Sequence, residues 1–258
     1  MLASGSVRVF ERQLRVYRKL WRASVISHFA MPLLFLGAMG LGLGPIVDAR
    51  TSTVGGVDYL TFIAPGLLAF MVVQSAGAES LWPIMAGHKW LGFYHGTVAT
   101  PIEPTEVFSG YMAWLAAYTA LIAGLFVAAA AVLGAVTSLL AVLAVPSAVL
   151  GALCFACPFA GFAMARENDF AFGALLRLVV MPLAMFSGSF FPVSQLPAWL
   201  RTGVLLSPLY HSIELCRAAT TGHARSASAV AAHVVFLVVV IVATSVLARR
   251  AFRQRLAK

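Results

Sequence analysis

Residues 108–133 read FSGYMAWLAAYTALIAGLFVAAAAVL, 26 positions without an Asp, Glu, Lys or Arg. A helix that crosses the hydrocarbon core of a bilayer needs about 20 mainly apolar residues, and this stretch meets that requirement with room to spare. Five further apolar runs occupy 24–43, 60–82, 139–165, 170–190 and 230–248. The fold class expected is therefore all-α, a polytopic membrane protein with six transmembrane helices.

The whole-chain composition agrees. Of 258 residues, 61% are hydrophobic and 10% charged, against roughly 45–50% and 25% in an ordinary soluble domain. So few charges exclude a water-soluble globule, and so much apolar content excludes disorder. Net charge is +9, but its distribution argues against a nucleic-acid partner. Arg8, Arg12, Arg15, Arg18, Lys19 and Arg22 precede the first run, and Arg249, Arg250, Arg253, Arg255 and Lys258 follow the last. Basic residues that flank spans mark the cytoplasmic side and attract anionic lipid headgroups. With both termini inside, Lys89 and Arg166 join them, giving thirteen of the eighteen basic residues against four outside (Arg50, Arg201, Arg217 and Arg225), with Arg177 within a span. The expected localisation is the cell membrane, multi-pass, with N- and C-termini cytoplasmic.

Residues 7–22 are amphipathic. Val7, Phe10, Leu14, Tyr17 and Trp21 define one helical face and the basic residues the other, the pattern of a helix lying in the headgroup plane. No metalloprotease, hydrolase-elbow or phosphate-loop motif is present, so no catalytic residues, metal ligands or cofactor sites are assigned. Cys154 and Cys157 form a C-x-x-C without a second ligand pair, and packing is the better reading. Intramembrane charges mark ion pathways. Here the third, fourth and sixth runs contain no acid, and only Glu79, near the end of the second, and Arg177, in the fifth, stand out. Energy for any transport would come from outside the chain.

Two segments are neither span nor free loop. The loop 83–107 gathers Trp90, Phe93 and Tyr94 before Pro101 and Pro104. It is read either as an interfacial helix on lipid or as a docking knob for a cytoplasmic subunit. The segment 191–217 is too proline-rich to span and too apolar for water, and two short helices dipping into the outer leaflet fit it.

Four patterns then resemble one family. They are Tyr59-x-x-Phe62-x-x-Pro65-Gly66, then Glu79-Ser80-x-x-Pro83 with Trp90, Tyr94 and Ala99-Thr100-Pro101-Ile102-x-Pro104, then Ser187-Gly188-x-Phe190-Phe191-Pro192-x-x-x-Leu196-Pro197, and Pro208-Leu209-x-His211-x-Ile213-x-Leu215-x-Arg217. In this order they resemble the membrane subunit of type-2 ABC exporters, nearest the nodulation-factor (lipo-oligosaccharide) exporter permease branch and similar to daunorubicin-resistance permeases. The resemblance implies a single permease domain over 1–258, with 7–22 as an elbow helix, a coupling helix around 88–100 and a re-entrant helix pair around 193–217 before the last span. It also implies an ABC ATPase on a separate chain, which would carry ATP and Mg, and a second permease copy, identical or not. The expected function is export of an amphipathic, lipid-linked or glycolipid or drug-like substrate, with no enzyme activity in this chain.

Trp90, Phe93, Tyr94 and Thr100 are the expected ATPase contacts. Glu79 is expected to anchor the loop or pair with a basic residue near the elbow, unless it simply snorkels at the membrane edge. Ser189, Phe190, Phe191 and Pro192 are the expected extracellular gate. A secondary efflux transporter driven by an ion gradient is the competing reading, and an intramembrane enzyme a third.

Overall fold

A chain whose backbone amides cannot bond to water must satisfy them within its own helices, and the computed structural model is all-helical, with no strand among the described residues. It describes residues 4–46, 57–222 and 226–256, apart from the side chains of 23–25, 27–29, 31, 32, 41 and 43. Arg50, Arg225 and Lys258 of the charge tally lie outside the described residues.

Helix α1 (Gly5–Gly37) runs into a π turn (Ala38–Leu43). Helix α2 (Tyr59–Met85) likewise continues through a π turn (Ala86–Trp90) before the short α3 (Phe93–Val98). Helix α4 spans Pro104–Val132, and a 3-10 turn (Leu139–Leu143) leads into α5 (Ala144–Ala165). Helix α6 (Phe170–Leu175), a π turn (Leu176–Val180) and α7 (Met181–Phe186) follow in one line. After a 3-10 turn (Val193–Gln195) come α8 (Ala198–Leu205), α9 (Pro208–Thr221) and the long α10 (Ala227–Leu256).

Four helical stretches are long and apolar enough to cross a membrane: Tyr59–Trp90, Pro104–Val132, Leu139–Ala165 and Ala227–Leu256. These cover the second, third, fourth and sixth apolar runs. The first and fifth supply shorter apolar stretches, Leu33–Ile46 and Phe170–Phe186. The fifth stops short of residue 190 because Gly188 takes φ 88°, a left-handed conformation that ends a helix. Helix α2 is central, with 72% of its apolar window buried, whereas α10 buries 6% of its own and lies at the outside.

The basic segment 7–22 is continuous with the helix that follows it. Val9 is buried, and Phe10, Leu14 and Tyr17 pack against the core, while Val7 and Trp21 stay exposed. The indole of Trp114 on α4 lies 6.2 Å from the Phe10 ring and 5.3 Å from that of Tyr17. Gly110 permits this approach, since a Cβ there would fall 2.4 Å from the Ser6 carbonyl oxygen. Glu106 fastens the start of α1 by accepting the Gly5 amide at 2.9 Å, and its other oxygen accepts the Glu103 amide at 3.0 Å in the α4 capping box.

The two ends of the bundle differ. The start of α1, the connection 83–107, the turn 166–169 and the end of α10 meet at one end. The connection after α4 meets Thr220 at the other, where Ser187 bonds Ser207.

Candidate functional site

Pro83 carries no N–H, so the carbonyl of Glu79, four residues earlier, has no helical donor. The Tyr111 hydroxyl supplies one at 2.8 Å, and α2 continues past the proline to Trp90. Glu79 thus meets α4 through its main chain, while its carboxylate lies within electrostatic range of Tyr111 and Tyr118. Gly92 then breaks the helix with φ 63°, and α3 forms as a six-residue segment.

This break sorts the four candidate contact residues. Trp90 is 55% exposed and Leu91 beside it 75%, and Thr100 is also exposed. Phe93 is half-buried, with the Arg12 guanidinium 3.7 Å above its ring. Tyr94 differs from the expectation: it is buried at 1%, packed on Phe93 and Phe252, with no hydrogen-bond partner for its hydroxyl among the described residues. Its ring holds α3 down, so a partner meeting this face would touch Trp90 and Thr100.

The same face is braced by ions. Glu167 in the turn between α5 and α6 accepts from Lys89 at 2.5 Å and from Arg255 at 2.8 Å, and Arg255 also donates to the Ala165 carbonyl at 2.8 Å. Trp82 donates to Asp169 at 3.2 Å. The hydrogen bonds from Lys89 and Arg255 hold the Glu167 carboxyl below the usual carboxylate range. A carboxyl whose folded value is depressed contributes stability above its unfolded value and loses it as pH falls through the folded one. Acidification from neutral pH should thus lower the melting temperature of wild type more than that of Glu167→Gln, with the two curves parallel above the carboxylate range. Curves parallel throughout would show that the bridge contributes nothing.

At the opposite end, Ser189 is fully buried and backs onto Gly66 of α2, where a Cβ would come 2.5 Å from the Ser189 Cα. Phe190, Phe191 and Pro192 are half-buried. Pro192 lines a cavity of about 470 Å³ shared with Phe62, Tyr210, Glu214, Arg217 and His233. The gate candidates are held from α9 by Arg217, the last residue of the Pro208–Arg217 pattern, to which the sequence assigned no role at the gate. Arg217 pairs with Glu214 at 2.5 Å, donates to the Gly188 carbonyl at 2.7 Å, and lies 4.5 Å from the centroid of Phe62. The i, i+3 spacing of Glu214 and Arg217 on one helix was the available signal. His211 adds a bond to His233 at 2.7 Å and one to the Leu205 carbonyl at 2.9 Å, tying α9 to α10 and α8.

Cys154 and Cys157 are buried free thiols. Cys154 donates to the Leu237 carbonyl at 3.4 Å and Cys157 accepts from Ser245 at 3.3 Å, so both serve the α5–α10 contact. Among the described residues no group of three metal-ligating side chains occurs.

The family described as ABC-2 type transporter matches residues 6–221. Nodulation protein J of Rhizobium leguminosarum bv. trifolii is 34% identical over 84% of this chain and 81% of its own length. The protein of that name from Rhizobium leguminosarum bv. viciae is 30% identical over 96% and 93%, and that of Bradyrhizobium diazoefficiens 30% identical over 81% and 78%.

Proposed function

The chain belongs to the ABC-2 type transporter family, and on that premise we propose that it is the membrane permease of an ATP-driven exporter of the nodulation protein J branch. Its cargo would be an amphipathic, lipid-linked or glycolipid or drug-like molecule leaving the cytoplasm. ATP and Mg would be held by a separate ATPase, and two permease copies would form the path. In this reading the chain makes six crossings, the basic end faces the cytoplasm, residues 7–22 serve as the elbow and α8 with α9 as the re-entrant pair.

One observation carries the reading: an exposed aromatic, Trp90, projects from a connection that is braced to three other elements. Arg12 reaches it from α1, Glu167 from the α5–α6 turn and Phe252 from α10. A force applied at Trp90 is passed to all of them, because packed side chains move together and not one by one. Exposed tryptophans of this kind are frequent anchors of protein interfaces.

Replacing Trp90 with alanine should leave folding unchanged while weakening ATPase co-purification by about tenfold or more, the loss usual for an interface anchor, and abolishing ATP-driven export. Normal co-purification with normal export would overturn the docking role. Export that persists without ATP and stops when the proton gradient is removed would replace the exporter reading with a secondary transporter.

A further inference from the structure

A second cavity, of about 260 Å³, lies at the basic end, lined by Thr105, Val246, Arg249, Arg250 and Arg253. The four α10 residues form one continuous helical face, because they are separated by three or four positions. All three arginines are exposed, and none takes part in an ion pair among the described residues, whose pairs use Glu11, Glu167 and Glu214. The nearby carboxylates are engaged elsewhere: Glu106 accepts the Gly5 and Glu103 amides, and Glu103 closes the cap of α4 and accepts from Thr105 at 3.3 Å.

The charge and its surroundings together specify the ligand. Arg249 follows directly on the apolar run of α10, whose outer face leaves Val239, Val242, Val246 and Leu247 exposed. Because α10 is long and apolar enough to cross a membrane, this strip lies against acyl chains, and the phosphate heads of those same lipids fall at the level of the arginine cleft. A molecule with a phosphate head and acyl chains matches both parts, since arginine forks bind phosphate oxygens bidentately. We propose that Arg249, Arg250 and Arg253, with the start of α4, form a binding site for the headgroup of an anionic phospholipid whose chains lie along α10. This goes beyond the export reading and does not depend on it.

The test uses the purified full-length permease in mild detergent, with thermal unfolding followed as phosphatidylglycerol, phosphatidylcholine or inorganic phosphate is added. Wild type should be stabilised by phosphatidylglycerol and by neither of the others. For R249Q/R250Q/R253Q the half-effective phosphatidylglycerol concentration should rise at least tenfold, and for R250Q alone about fivefold, following the usual weight of one basic residue at a membrane surface. The charge-matched control R8Q/R18Q/K19Q should shift far less. Equal shifts in both triple variants would mean diffuse attraction, and equal stabilisation by inorganic phosphate would mean a soluble-anion site. An unchanged lipid response in R249Q/R250Q/R253Q would mean no lipid site, and if ATPase co-purification were lost at the same time the face would belong to a protein. Each of these outcomes overturns the proposal, and R250Q decides it should the triple variant fail to fold.

Discussion

Arg217→Gln is expected to destabilise the folded permease by about 1.5–3 kcal/mol, the usual worth of hydrogen bonds to a charged group, because the pair is partly buried, each side chain being 19% exposed. The guanidinium is largely buried and serves three neighbours at once: the Glu214 carboxylate, the Gly188 carbonyl and the face of Phe62. Glutamine reaches none of them with charge. It leaves Glu214 half-enclosed with no counter-ion, and it frees the Gly188 carbonyl in a segment already committed to a left-handed turn at φ 88°. The double variant Glu214→Gln/Arg217→Gln removes the stranded carboxylate as well, so most of the loss should return. Denaturant unfolding of the four members of this cycle measures the coupling directly. If the single and double variants are equally unstable, the pair is not the fastener and the Gly188 contact alone must be. If Arg217→Gln unfolds like wild type, the clamp has no energetic role.

How much of this was legible beforehand depended on what each residue's neighbours had to settle. The runs at 60–82, 108–133, 139–165 and 230–248 could be read directly, because a long charge-free stretch has few alternatives to a membrane-length helix. The segment 7–22 was harder. Phe10, Leu14 and Tyr17 repeat at helical spacing whether the surface beneath them is lipid or Trp114, and periodicity cannot tell one apolar surface from another. The run 60–82 ends before Pro83, whereas the helix continues through it because the Glu79 carbonyl finds a donor, and that donor, Tyr111, lies 32 residues along the chain. The Arg217 contacts at the opposite end were missed for a related reason. Arg217 counts as one more loop charge until α9 folds back and brings Gly188 and Phe62 within its reach.

Tyr94 shows the same limit from the other side, and its substitutions should separate holding from docking. Tyr94→Ala is expected to cost about 3–5 kcal/mol, as for other buried aromatics cut to alanine, because the ring fills the space between Phe93 and Phe252. No residue could simply move in. Gly87 leaves no slack on the opposite side, where a Cβ would already lie 2.6 Å from the tyrosine ring. Tyr94→Phe should behave oppositely. Burial lifts the hydroxyl above its ordinary tyrosine range, and the oxygen finds no partner among the described residues. A buried group of this kind carries a desolvation cost of about 1–3 kcal/mol, so its removal should leave the protein as stable or more so. If ATPase coupling follows the ring, Tyr94→Phe keeps full export while Tyr94→Ala loses it along with melting temperature. Loss of export in Tyr94→Phe at unchanged melting temperature would instead mean that the hydroxyl reaches a partner when the complex forms, and the surface role would pass back from Trp90 to Tyr94.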